Sequence, residues 1–269
     1  MAYIHLYNGT PTGGATDGTL VSEILPFTGS TTSSSSTISN ISVNTSTLTT
    51  SQSITGAGIP AGSTIATIVD SSTITISQNA TATANNILMV QGNLITTNFL
   101  NASTNDVSTP IKLAVRCDAG YNSLNTTTVT PTAAISFTGN TTLNNNQITS
   151  ISVNTNEIGV GQVVVGTNIP ADSKVTAIIS SSVIQISNNC TATASGVSIT
   201  QGDPSKWRLA PDNAGSPGSW GAYGAALSIN TTIGTTNTIF WSEAKATSDE
   251  TPINDITISL QTVAQIQAV

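Results

Sequence analysis

"GIPAGSTIATIVDSSTITISQNATAT" runs from Gly58 to Thr83, and "NIPADSKVTAIISSSVIQISNNCTAT" runs from Asn168 to Thr193. Extending the pair outward, from "FTG" at Phe27 and Phe137 to "QG" at Gln91 and Gln201, gives about 66 aligned positions without a gap, roughly 30 of them identical. The offset is 110 residues throughout. This is a tandem duplication of one module. Its identities are of the kinds that a β-fold uses. Ile38, Ile41 and Val43 match Ile148, Ile151 and Val153, and Gly56, Ile59 and Pro60 match Gly166, Ile169 and Pro170. "TITIS" and "VIQIS" place Ile74/Ile76 and Ile184/Ile186 on one face of a strand at period two. "GIPAGS" and "NIPADS" read as turns, because Pro fixes φ while Gly, Asn and Asp tolerate a tight backbone.

Residues 1–26, 93–136 and 203–269 lie outside the copies and together make about 137 positions, the size of one domain. They alternate as well: "YIHLY", "IKLAVRC", "NTIFWSEAKA" and "DITISLQTVAQIQAV" are strand-like. The expected architecture is all-β. An outer β-sandwich domain (1–26, 93–136, 203–269) is interrupted twice, by inserted β-modules at 27–92 and 137–202. Exposed turns accept such insertions at small cost in loop closure.

Only 7% of the chain is charged against 38% hydrophobic, so cores can form under a surface of Ser, Thr, Asn and Gln. No long stretch carries a 3.6-residue apolar period, so little helix is expected. A net charge of −7 with six basic residues argues against sequence-independent nucleic-acid binding. No stretch reaches the roughly 20 apolar residues of a membrane-spanning helix. The start, "MAYIHLYNGTPTGG", shows neither the basic nor the apolar region of a secretory signal.

The chemistry-bearing residues are sparse. His5, the single histidine, sits in a strand pattern with no nucleophile motif around it and reads as a strand-surface residue. "SDETPIND" gathers Asp249, Glu250 and Asp255, which could ligate calcium but read better as a solvated hairpin loop. Gly13 and Gly14 lack the helix and lysine of a phosphate loop. Thirteen acids offer many pairs for glycoside hydrolysis, and none is singled out. Trp207, Trp220, Tyr223 and Trp241 offer a sugar-stacking platform, against the preferred reading that the three tryptophans anchor the outer core. Cys190 replaces Ala80 at the equivalent repeat position, which points to a small buried side chain. A bridge to Cys117 or to another subunit stays open. No catalytic residue, cofactor-binding residue or metal ligand is assigned.

The repeat, with "GAGIPAGSTIATI" (Gly56 to Ile68) and "TITISQNATAT" (Thr73 to Thr83), resembles a β-module of tailed-bacteriophage virion proteins. "KWRLAPDNAGSPGSWGAYGAALSI" (Lys206 to Ile229) and "TIFWSEAKATSDETPINDITISL" (Thr238 to Leu260) look similar to a phage structural β-sandwich. The resemblance implies a non-enzymatic virion component assembled in the bacterial cytoplasm. Such a protein docks on capsid as a decoration or cement protein, or serves at the neck, tail, baseplate or fibre. It also implies capsid or tail subunits as partners; copies on a symmetric shell or tube would form a trimer or ring, and from charge, apolar runs and motifs no nucleic acid, membrane or cofactor is expected. A separate alternative makes the repeats adhesin-like modules that bind host glycans through their Asn, Thr and Ser faces.

Overall fold

The computed structural model describes residues 3–247 and 256–269, and these are all-β, relieved only by 3-10 turns of three residues each. Among the described residues no helix is long and apolar enough to cross a membrane.

Strands from all three outer segments join in one six-stranded antiparallel sheet. Its order is Ser216–Pro217, Trp207–Asn213, Thr238–Ala244, Ile111–Cys117, Ile4–Asn8 and Thr19–Leu20. Alternation sets its faces. Along Ile111–Cys117, Leu113, Val115 and Cys117 point inward, and Phe240 stands opposite Leu113 on the neighbouring strand. The facing layer is built on Thr127–Ala133, flanked by Leu227–Ile229 and Ile258–Val263, and it supplies Val129, Leu227, Ile229 and Leu260 to the same core. Two antiparallel layers interleaving their apolar faces make a β-sandwich.

The two copies pair internally, with registers offset by 110. Phe27 faces Met89 as Phe137 faces Ile199, and Ile38 faces Ile74 as Ile148 faces Ile184. In copy one a six-stranded sheet runs Ile54–Gly56, Ala84–Gln91, Phe27–Thr31, Thr37–Ser39, Thr73–Ile76 and Ile65–Asp70. In copy two the equivalent strands form two three-stranded sheets, tied by the bridge between Asn140 and Thr149. Equivalent residues fill the two cores: Phe27, Ile38, Ile54, Ile65, Ile74 and Met89 in one, Phe137, Ile148, Val164, Val175, Ile184 and Ile199 in the other. The turns behave as their residue types require. Gly58 and Gly62 have φ of 73° and 77°, and Asn168 and Asp172 adopt 67° and 56° at the same places. In both, the serine hydroxyl three residues beyond Pro donates back to the Pro carbonyl, Ser63 to Pro60 and Ser173 to Pro170, at 2.7 Å.

Ala80 and Cys190 are both buried at equivalent points. Cys190 belongs to the copy-two core and Cys117 to the sandwich core, and both thiols are free. A bridge between them is thereby excluded.

Candidate docking face and module contact

His5 is held between two carboxylates. Its Nε2 lies 3.2 Å from Asp118 Oδ1, and its Nδ1 makes a short contact with Glu23. Burial works against charging the ring, but the hydrogen bonds to Glu23 and Asp118 outweigh it and net raise the imidazole above its ordinary 6.5. The arrangement clamps the first strand. Gly13 and Gly14 lie in a loop pinned to the sheet. Gly14 N–H donates to the Asn237 carbonyl, and Asp17 Oδ1 accepts from Thr12 N–H at 2.8 Å and from Asn237 Nδ2 at 2.7 Å. Backbone donation from Thr12 leads the causes that hold the Asp17 carboxyl below its usual range. Asp249, Glu250 and Asp255 lie outside the described residues. Among the described residues no three of His, Cys, Asp and Glu gather as a metal site.

The tryptophans depart from expectation. None belongs to the buried core, and Phe240 takes that role. Because Phe240 points inward, its neighbour Trp241 points out, and its Nε1 donates to Asp212 Oδ1 at 2.8 Å. Cations gather on aromatic rings across this outer face. Arg116 lies 3.5 Å over Tyr7, Arg208 lies 5.1 Å from Trp220 and 4.8 Å from Tyr223, Lys245 lies 4.0 Å over Tyr223, and Lys112 lies 5.9 Å from Trp241. Arg208 also pairs with Glu243, a carboxylate only 4% exposed, through both its Nε and a terminal nitrogen. Tyr7, Trp220, Tyr223 and Trp241 remain half-buried at the surface.

A second surface joins the two copies. The outward face of copy one carries Thr28, Leu88 and Val90, all buried. Copy two presses the turn Thr155–Glu157 and the residues that follow it onto this face. Thr28 Oγ1 donates to the Asn156 carbonyl, and Val160 N–H donates to the Asn86 carbonyl at 3.1 Å. Gly159 comes so near that a Cβ on it would lie 2.7 Å from Leu88 Cβ. The equivalent face of copy two, Thr138, Ser198 and Thr200, stays at least partly open to solvent, as does the equivalent loop of copy one at Thr49 and Thr50. The contact is head-to-tail, with each copy using a different part of its surface.

Compared with protein-family models, curated proteins and solved structures, the chain gives no match in any of the three.

Proposed function

We propose that this chain is a non-enzymatic structural component of a bacteriophage particle, docking on the capsid lattice as a decoration protein through its outer sandwich. In this reading residues 27–92 and 137–202 are inserts that project as one stacked unit. The observation that carries the docking is the outer sheet face with Tyr7, Arg116, Trp220, Tyr223, Arg208 and Trp241 half-exposed in cation–aromatic contact. Trp, Tyr and Arg are the residues that dominate protein interfaces, since they combine large apolar area with a directional polar group. The resemblance of the repeats and of the last segment to phage virion proteins supplies the kind of partner.

Association with assembled subunits alone would stabilise the lattice by mass action. Two measurements test this. Quantitative mass spectrometry of purified particles gives the copy number: hundreds per particle support capsid decoration, and a few to a few tens move the protein to the neck, tail or fibre. With full-length chain added to particles lacking it, Trp220→Ala and Trp241→Ala together should cut retention at least about tenfold. Retention equal to the parent chain would remove this face as the docking surface.

A further inference from the structure

The chain has four lysines, at 112, 174, 206 and 245, and all four line one cleft of about 1320 Å³. They come from three outer-domain positions and one position in copy two, so their convergence is tertiary. Each is half-buried, whereas lysine ordinarily extends its ammonium into bulk water. Two aspartates are found among the described lining residues, and both are engaged. Asp172 lies 4.0 Å from Lys206, and Asp203 accepts from Ser205 N–H at 3.0 Å and from its hydroxyl at 2.6 Å. In a chain of net charge −7, this wall concentrates positive charge in one concave place.

The remaining lining fits a sugar polymer. The segment after copy one contributes Thr96, Thr97, Asn98, Asn101 and Ser103, hydroxyl and amide groups that exchange hydrogen bonds with sugar hydroxyls. Beside them Phe99 is 87% exposed, an aromatic face on which a pyranose ring can stack. The cleft also exceeds the roughly 300–1,000 Å³ of typical small-molecule sites. We infer that this cleft binds a linear polysaccharide bearing carboxylates, with the lysines on the acid groups and Phe99 under a ring. Lys112 and Lys245 also lie over Trp241 and Tyr223, so the cleft adjoins the aromatic face, but sugar binding by the isolated chain is read without particles and stands or falls apart from docking.

Calorimetric titration of the full chain tests it with three probes: polygalacturonate oligomers, neutral dextran and polyglutamate. Polygalacturonate should bind, dextran should not, and NaCl at about 0.5 M should weaken binding by screening. Lys174→Gln with Lys245→Gln should raise Kd about tenfold, from two partly screened charge contacts of a few-fold each. The corresponding Lys→Arg pair should retain affinity, which separates charge loss from misfolding. Phe99→Ala should weaken polygalacturonate alone. Failure of polygalacturonate to bind at millimolar concentration overturns the inference. So does binding that the Lys→Gln pair leaves unchanged. Polyglutamate binding as tightly as the sugar, with Phe99→Ala without effect, would make the site a dock for acidic protein segments and also overturn it.

Discussion

Replacing Leu88 by serine, the residue that copy two carries at the same strand position, isolates the contact between the modules. Leu88 is 2% exposed opposite Thr28, whereas Ser198, opposite Thr138 on the equivalent strand, faces solvent. Withdrawing a fully buried leucine forfeits about 1.5–3 kcal/mol of transfer free energy. A cavity term adds to this, because Gly159 has no side chain with which to follow the retreating surface. The expected cost is about 3 kcal/mol, within the range for deleting a buried leucine side chain. The reciprocal change, Ser198→Leu, should stay within about 0.5 kcal/mol, as for other exposed sites. Amide exchange locates the effect. Val160 N–H is held by the Asn86 carbonyl across the contact, and its exchange should accelerate by up to about a hundredfold in Leu88→Ser. Urea unfolding supplies the total. A loss below about 1 kcal/mol, or a comparable loss from Ser198→Leu, would show that the modules do not rely on this contact.

Three further outcomes are expected. Arg208→Ala strands the Glu243 carboxylate, buried and without its partner, and should cost about 3–5 kcal/mol in urea unfolding, while Arg208→Lys recovers the charge but not the forked geometry. The single histidine should titrate by NMR above 6.5. Its contribution to stability is complete below that unfolded value and is lost as pH climbs through the raised folded one, so His5→Gln should flatten this part of the stability profile. Burial raises both thiols, so iodoacetamide should label neither Cys117 nor Cys190 until the chain unfolds. Cys190→Ala should cost less than about 1 kcal/mol, since Ala80 occupies the same place in copy one; fast labelling of native protein would contradict this.

Much of the fold was readable because a strand pattern seen twice at a fixed offset is stronger than either copy alone. Ile74, Ile76, Ile184 and Ile186 are buried as their alternation requires, and the Pro-containing turns carry the positive φ values their residues allow. The tryptophans escape the strand pattern for a physical reason. In "IFWSEA" both alternating sets contain an aromatic, so period two leaves the inward set undecided. The structure turns Phe240 and Ser242 inward and Trp241 outward. The lysine cleft was not readable at all, since positions 112, 174, 206 and 245 share no local pattern and meet only through the tertiary fold.

The module contact did leave a signal, in the departures between copies rather than in their identities. Leu88 against Ser198, Val90 against Thr200 and Thr49 against Gly159 are all exchanges between an apolar or small residue and a polar one. Leu88 and Gly159 meet in the contact and Val90 is buried on the same strand face, whereas Ser198, Thr200 and Thr49 lie on the unused surface, at least partly open to solvent. This pattern has a consequence for assembly. A head-to-tail contact does not close on itself, so repeating it between chains would build an open filament. Such repetition would set the copy-one loop of one chain on the copy-two face of another. Thr49 would then bring a branched side chain to a place where a Cβ added to Gly159 would already come within 2.7 Å of a neighbouring Cβ, and Ser198 and Thr200 would offer little apolar area in return. Steric exclusion at one end and polarity at the other thus stop this mode of stacking at two modules.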